Sequence, residues 1–366
     1  MTFRTITGPS TWTALSFKTK ADFTVRAPAA AVADLTALAT SGAFDGLDLT
    51  DITLEKFGKP SLQALMDEVR KELWDGRGFL ILNGLPVQGL SVERIEAYYW
   101  LLSLYMGKPV SQSAAGERLG RVQDMAKPGG PTSSRGYNTR RQLPLHTDVG
   151  DFMGLLNVRP SKSGGLSLAV SVPTVYNAMA RQRPDLLERL FKGFPFHRRN
   201  EQQPGAELVT PYDVPVLGWA GDRLTAFYVR PSVELAAKEL GRDLTAQDVE
   251  ALDLFDDLCW SDDNLLKFML EPGDIYFANN LTTLHSRTEF EDFEDEAEKR
   301  LSLRIWLQRE PRTPIPKSQI VFQNPSGDLG VDPTPDGTPA GAAYLVEFKR
   351  AVASPSQEVA GGAEHG

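Results

Sequence analysis

Cysteine is almost absent from this sequence, which contains a single one, Cys259, in 366 residues. One thiol excludes an intrachain disulfide and any zinc site made of four cysteines. Chains that are poor in disulfides are typical of reducing compartments. The sequence therefore predicts a cytoplasmic protein. Cys259 lies on the apolar side of a predicted helix and is interpreted as a small buried hydrophobe rather than a nucleophile.

Long hydrophobic runs and an excess of positive charge are also missing. The longest apolar candidate, residues 97–106, is too short to cross a bilayer, and residues 1–25 lack the apolar stretch of a secretory signal. A formal net charge of -9 disfavours the clustered basic surface that binds nucleic acid. We therefore expect no membrane span and no nucleic-acid partner. A small molecule is the expected partner, and assembly into a homo-oligomer is left open.

The remaining composition is typical of a folded globular protein. Hydrophobic residues make up 41% of the chain and charged residues 24%, which is enough to form a sizeable core. No internal repeat or long linker divides the chain, so the sequence predicts one domain over residues 1–350. Its N-terminal part, to about residue 110, is expected to be helical and peripheral, and its core spans about 111–325. Residues 351–366 are predicted to be a disordered tail.

Helical and strand patterns alternate along the chain. The predicted helices are Ser61–Trp74, a helix from Ser91 to about Met106, a helix capped by Thr174, Leu186–Phe191, and Ala246–Cys259 capped by Thr245. The predicted strands are Phe79–Leu82, Leu145–Asp151, Phe152–Val158, Gly165–Val172, Asp274–Ala278 and Leu301–Gln308. This mixture predicts a mixed α+β fold.

Histidine is scarce enough for each one to be informative. The chain has four, and His146 stands two residues before Asp148. On a strand, residues i and i+2 share a face, so both side chains are able to reach one ion. With a second imidazole they would form the facial triad of non-haem Fe(II). His285 follows a predicted turn and strand and is the candidate for that imidazole. The alternative is that the His-x-Asp tripeptide at residues 146–148 arises by chance.

Two arginines share one face of the predicted strand near residue 301. Arg300, Ser302, Arg304 and Trp306 alternate with leucine and isoleucine, so both guanidiniums are predicted to point the same way. Such a pair is able to line one cavity and bind two different anions. The alternative is an amphipathic strand with one wet face.

Between about Gly136 and Gln308 these residues resemble a known family, the TauD/TfdA-type Fe(II)/2-oxoglutarate-dependent dioxygenases, and in particular its clavaminate synthase-like branch. The resemblance is carried by the His-x-Asp pair, by the Pro-Gly-Asp turn and the Asn-Asn before the distal histidine, and by the segments 164–167 and 285–288. It implies a double-stranded β-helix, or jelly-roll, core with flanking helices. It further implies that His146, Asp148 and His285 bind Fe(II), with 2-oxoglutarate and O2 as co-substrates.

The same resemblance implies roles for three further residues. Arg300 matches the arginine that anchors the distal carboxylate of 2-oxoglutarate, and Ser167 matches a residue that adds a hydroxyl to that carboxylate. Arg304 matches an arginine that contacts the primary substrate or supports the site. An acidic run, residues 289–298, lengthens the interval between His285 and Arg300, so the two arginines are able to exchange roles. The acidic run itself is expected to be solvated.

The reaction implied by the resemblance is oxidation of an unactivated C–H bond of a small acidic or amino-acid-like substrate, with release of succinate and CO2. Hydroxylation is the expected outcome, with desaturation, ring closure and epimerisation left open. Halogenation is disfavoured because Asp148 keeps the carboxylate that halogenating relatives have lost. A zinc hydrolase on a cupin-like barrel and a non-catalytic small-molecule binding protein are the alternatives.

The other histidines and a polar loop are interpreted without chemistry. His197 stands beside two arginines and is expected to pack at a surface strand, and His365 lies in the tail. The loop residues Arg135, Tyr137, Asn138, Arg140 and Arg141 either guard the pocket entrance or belong to an ordinary polar loop.

Overall fold

The computed structural model of the protein describes residues 3–124, 139–203 and 205–334. The predicted disordered tail, His365, and the loop residues Arg135, Tyr137 and Asn138 lie outside these residues. Within the described part of the chain, no helix has the length and apolarity that a bilayer crossing requires.

Helices occur in an N-terminal and a central group. The helices are α1 (Ala29–Thr40), α2 (Leu54–Phe57), α3 (Pro60–Trp74), α4 (Val92–Leu104), α5 (Val172–Gln182), α6 (Pro184–Lys192), α7 (Arg230–Glu239) and α8 (Ala246–Trp260). The cap predicted for α8 is confirmed, because the Thr245 hydroxyl accepts a hydrogen bond from the Asp248 N–H.

The strands are short, and most of them lie in two sheets. They are β1 (Thr24–Arg26), β2 (Phe79–Asn83), β3 (Lys108–Pro109), β4 (Leu119–Val122), β5 (Phe152–Arg159), β6 (Ser163–Gly164), β7 (Ser167–Ser171), β8 (Leu217–Ala220), β9 (Arg223–Ala226), β10 (Leu266–Phe268), β11 (Ile275–Asn279), β12 (Thr283–Arg287), β13 (Phe290–Glu291) and β14 (Leu301–Gln308). The main sheet has the order β1-β2-β11-β5-β14-β3, with β4 also paired to β14, and the small sheet has the order β10-β7-β12.

The inward faces of the two sheets share a buried cluster, which we call the inner core. Alternate residues of the main sheet, such as Met153, Tyr276 and Trp306, join Ala169 and Phe268 of the small sheet in this cluster. Because side chains on a strand alternate between faces, Ser302 and Arg304 of β14 point to the same inward side as Trp306. The predicted alternation is therefore confirmed from Ser302 to Trp306, whereas Arg300 precedes the strand and the register shifts between Leu301 and Ser302.

The outward face of each sheet is covered by helices. Leu303 and Ile305 of β14 pack with α1, α3 and α4 in one large apolar cluster. On the other side of the molecule, Val170 and Leu284 of the small sheet pack with α5, α6 and α8 in a second cluster. Cys259 is fully buried in this second cluster, as predicted from its position on the helix. The fold is thus a mixed α/β arrangement in which two sheets enclose an inner core.

The strand predicted over Leu145–Asp151 is wrong. This segment bends, and only His146 makes an isolated β-bridge. Gly150 has a φ of 112°, a left-handed conformation that favours glycine and ends any extended run. The following segments, Phe152–Arg159 and Ser167–Ser171, are strands as predicted, but they lie in different sheets.

The cap predicted for α5 is also wrong. The side chain of Ser171, not that of Thr174, accepts the capping hydrogen bond, and its donor is the Thr174 N–H. The helix begins at Val172 because Pro173 fits the first turn, where its missing N–H leaves no helical hydrogen bond unmade.

Gly154 sits where the main sheet meets α4, and its replacement by alanine is expected to destabilise the protein. An added Cβ would overlap the Tyr99 hydroxyl and lie 2.9 Å from Phe277 Cε1. Overpacking of this kind costs about 1–3 kcal/mol of unfolding free energy. Urea unfolding of Gly154→Ala measures the loss.

Tyr99→Phe supplies the matched background. Its hydroxyl is buried and has no hydrogen-bonding partner among the described residues, so the single change is expected to be neutral or stabilising. Gly154→Ala should cost less free energy in the Tyr99→Phe background than in the natural chain. An equal cost in both backgrounds would contradict the overlap with the Tyr99 hydroxyl.

Candidate active site

Backbone pairing brings the two predicted histidine ligands together. The His146 N–H donates to the His285 carbonyl at 3.1 Å, and the His285 N–H donates to the His146 carbonyl at 2.9 Å. The imidazole centroids are 4.5 Å apart. His285 is the third residue of β12, whereas His146 comes from the bent segment that precedes β5.

Asp148 places its carboxylate between the two rings. Oδ1 lies 3.9 Å from His146 Nε2, and Oδ2 lies 3.4 Å from His285 Nε2. One donor atom from each residue falls within 4.8 Å of the others, and both Asp148 and His285 are buried. Two imidazole nitrogens and one carboxylate oxygen are the donor set that suits non-haem Fe(II), so the residues present fit this metal.

Electrostatics leave the donor atoms in the form that a metal needs. His146 Nδ1 lies 2.8 Å from the Pro144 carbonyl, which only accepts, so Nδ1 carries the proton and Nε2 keeps its lone pair. Burial and the neighbouring His285 lower the pKa of His146 to about 4, and the ring is neutral at pH 7. Burial raises the pKa of Asp148, but Arg304 and the two histidines outweigh it and hold that pKa below its usual value.

Thr147, between the two ligands, is held at two points. Its N–H donates to the Tyr228 carbonyl at 3.0 Å, and its hydroxyl accepts from the Tyr228 N–H at 3.0 Å. The Tyr228 hydroxyl in turn donates to Asp256 of α8 at 2.7 Å. Asp148 is steadied separately, because its N–H donates to the Asn280 side chain at 3.4 Å. These contacts orient His146 and Asp148, and no sequence pattern predicts them because they depend on tertiary structure.

Arg304 adjoins the triad, as its inward position on β14 predicts. Its Nη1 lies 3.5 Å from Asp148 Oδ1, and its Nε donates to Gln112 Oε1 at 2.8 Å. The guanidinium carbon is 4.6 Å from the ring centroid of Trp306. The Gln112 amide also donates to the Arg304 carbonyl at 2.9 Å, so this glutamine, which sequence reasoning missed, orients the arginine.

Arg300 lies in a different part of the site. Among the described residues its guanidinium contacts the Val122 carbonyl and the Phe290 ring, and its backbone N–H donates to Asp292 Oδ1 at 2.8 Å. Burial lowers the pKa of Arg300 to about 10. Asp292 is itself buried, which corrects the expectation that the whole acidic run is solvated. The carboxylates of residues 294–296 and 298 are exposed as expected.

Ser167 of β7 and Arg287 of β12 are neighbours on adjacent strands of the small sheet. They are directly paired in the β7–β12 register, as are Ala169 and His285. Cross-strand partners lie on one face, so Ser167 and Arg287 share the inward face with His285. Burial and the nearby Arg300 lower the pKa of Arg287 to about 9.

Residues 37–306, most of the chain, match the model of the family described as taurine catabolism dioxygenase TauD, TfdA family. The chain belongs to this family. As a TauD/TfdA member it is a non-haem iron dioxygenase that uses Fe(II) and 2-oxoglutarate, as the resemblance in the sequence implied.

Among curated proteins, the chain is 29% identical over 278 residues to the FR-33289 synthase of Streptomyces rubellomurinus, which covers 74% of this chain and 79% of that protein. It is 26% identical over 305 residues to the taurine hydroxylase-like protein SAT17 of Stachybotrys chartarum, with 80% and 77% covered. Among solved structures, asparagine oxygenase in complex with Fe(II), 3-hydroxyasparagine and succinate has a TM-score of 0.60 at 17% identity and covers 78% of this chain and 93% of its own.

The non-haem iron oxygenase OrfP, solved with Fe and alpha-ketoglutaric acid, is similar at a TM-score of 0.58 and 15% identity, with 77% of this chain and 93% of that chain covered. At these identities the two solved structures establish the likeness of fold.

The remaining candidates take no part in the triad. His197 is fully buried, which corrects the expected surface position, and it bridges to Val209. Its Nδ1 accepts from the Arg199 N–H at 2.9 Å. Arg140 pairs with Asp124 at 2.5 Å, and the Arg141 carbonyl accepts from Arg287.

Thr147→Val is expected to weaken metal binding without removing a ligand. The change keeps the shape of the side chain but leaves the buried Tyr228 N–H without its acceptor, which costs about 1–3 kcal/mol. Loss of such an outer contact lowers metal affinity about 10- to 100-fold. Anaerobic titration with Fe(II) measures the affinity. Thr147→Ser keeps the hydroxyl and should bind like the natural protein. Equal affinity in the valine and serine variants would rule out this orienting role.

Proposed function

We propose that this dioxygenase hydroxylates an unactivated C–H bond of a small amino-acid-like or otherwise acidic substrate, releasing succinate and CO2. The observation that carries the proposal is the cationic Arg304 beside Asp148, because a guanidinium there suits an anionic group on a substrate held next to the metal. The solved relatives support an amino acid, since one is complexed with 3-hydroxyasparagine and another with L-Arg.

We assign His146, Asp148 and His285 as the ligands of Fe(II). When bound, iron with 2-oxoglutarate supplies the oxidising chemistry, in which the keto acid loses CO2 and one oxygen atom enters the substrate C–H bond. The chain's own residues orient and desolvate the reactants. The neutral imidazole of His146 and a carboxylate held ionised by Arg304 present two of these donors without a proton to release.

We assign Arg300 and Ser167 to the distal carboxylate of 2-oxoglutarate, and Arg304 to the substrate. The contacts of Arg304 with Asp148 support this division, because the group closest to the metal should meet the reacting substrate. Arg300 instead lies over Phe290, whose strand β13 pairs with β6 just before Ser167. The alternative in which Arg300 and Arg304 exchange roles is therefore not part of the proposal.

The finer features of the fold belong to the same proposal. We infer that the main and small sheets together form a jelly roll, and that residues 1–350 make one domain with the N-terminal helices on its periphery. A cytoplasmic location and a small-molecule partner complete the assignment. The inner core between the two sheets supports the jelly roll.

Asp148→Ala is expected to abolish turnover and the metal-bound keto-acid complex. The natural protein, loaded anaerobically with Fe(II) and 2-oxoglutarate, should show a weak visible charge-transfer band. Succinate release, measured across a panel of amino acids and other small acids, should identify its substrate. The variant should show neither signal because the triad loses its carboxylate. Full activity in Asp148→Ala would refute the triad. Hydrolysis supported by zinc, without succinate release, would favour the alternative zinc enzyme.

Replacement of each arginine in turn distinguishes the two proposed anion sites. Arg300→Gln is expected to raise the KM for 2-oxoglutarate about 10- to 100-fold with little change in the substrate KM, because a charge-assisted contact is lost. Arg304→Gln should do the reverse. Steady-state kinetics with each reactant varied in turn provide the test. If only Arg304→Gln raises the 2-oxoglutarate KM, the two roles are reversed.

A further inference from the structure

Two buried guanidiniums lie close to the ring of Phe290. The guanidinium carbon of Arg287 lies 4.5 Å from the ring centroid, and that of Arg300 lies 5.3 Å from it. Both arginines are 6% exposed. Neither forms an ion pair with a carboxylate of the described residues, and the nearby Asp124 is paired with Arg140. Two like charges are thus buried together, an arrangement that favours binding of an anion.

Arg287 has donor capacity to spare. Its Nε donates to the Thr288 carbonyl at 3.1 Å, and its Nη2 donates to the carbonyls of Thr139 and Arg141. Nη1 is buried and has no hydrogen-bonding partner among the described residues. Carbonyl groups solvate part of the guanidinium but do not neutralise its charge. A buried cationic N–H without an acceptor is costly unless a ligand supplies one.

The strand register places this free donor at a fixed offset from the metal ligand. Arg287 follows His285 by two residues on β12, so the two side chains share one face about 7 Å apart along the strand. Ser167 is the direct cross-strand partner of Arg287. A five-carbon dicarboxylate whose keto end reaches the metal beside His285 therefore carries its other carboxylate towards Arg287 and Ser167.

We propose that Arg287 is a second cationic contact for the distal carboxylate of 2-oxoglutarate, acting with Arg300 and Ser167. The inference rests on the proposed function and deepens it. Two guanidiniums around one carboxylate would make the site selective for a dicarboxylate, since a 2-oxo acid that lacks the distal carboxylate leaves both charges without a partner.

The test compares 2-oxoglutarate with 2-oxopentanoate, which has the same chain length but no distal carboxylate. Both acids are titrated anaerobically into the Fe(II)-loaded protein, and the visible band of the complex reports binding without turnover. Arg287→Gln should raise the Kd for 2-oxoglutarate about 10- to 100-fold, the cost of one hydrogen bond to a charged group. The Kd for 2-oxopentanoate should change less than about twofold, because it makes no contact that involves Arg287.

A purely structural role for Arg287 gives a different result. Its hydrogen bonds to Thr139 and Arg141 hold the chain that leads to His146, so their loss would weaken binding of both acids alike. An equal effect on the two acids overturns the proposal. Arg287→Lys keeps the charge and replaces Arg287→Gln if that variant does not fold, as judged by its thermal unfolding midpoint. With lysine, a loss confined to 2-oxoglutarate supports the proposal, because the shorter ammonium lacks the paired N–H donors of arginine, and equal weakening of both acids contradicts it.

Arg300→Gln separates this inference from the proposed function. If Arg300→Gln loses the preference for 2-oxoglutarate and Arg287→Gln keeps it, the second contact is wrong and the proposed function stands. If the natural protein binds neither acid at the metal, the proposed function itself fails.

Discussion

The reciprocal hydrogen bonds between the backbones of His146 and His285 are the contact on which the site depends. They join a bent segment before the main sheet to a strand of the small sheet, and the Asp148 carboxylate lies beside both rings as a consequence. Thr147 and Asn280 then hold the ligands in orientation. An unfolded chain has no such pairing, because the two histidines are far apart in sequence. Under the proposed ligand assignment, metal affinity and the pairing of these two segments are thermodynamically coupled.

Charge is distributed unevenly along the inner face of the sheets. One carboxylate, that of Asp148, stands next to Arg304, whereas Arg287 and Arg300 are buried beyond it without a carboxylate partner among the described residues. The free protein bears the cost of burying these cations. Under the proposed assignment, a dianionic co-substrate offsets this cost, because it brings negative charge to a region from which water is largely excluded.

Sequence alone predicted that His146, Asp148 and His285 lie together, and it predicted most of the regular elements. Histidine scarcity singled out His146 and His285, and the alternation in residues 301–308 placed Arg304 on the inward face, because both signals are local. The bent segment around His146 was missed, since its hydrogen bonds to the carbonyls of Tyr228 and Leu307 shape it and neither residue is a neighbour in sequence. The buried Asp292 and the pairing of Ser167 with Arg287 were equally hidden, because sheet register and burial are properties of the folded chain.

The acidic run between His285 and Arg300, residues 289–298, is anchored near both of its ends. Phe290 and Glu291 pair with Gly164 and Ser163, and the Asp292 carboxylate receives the Arg300 N–H. Residues 294–298, between these anchors, are exposed to solvent, where their charges are hydrated. Length at this point is therefore free to vary, because additions extend the exposed tip and leave the arginine in place. The number of residues between His285 and Arg300 therefore does not determine where Arg300 lies, whereas the hydrogen bonds that close the loop do.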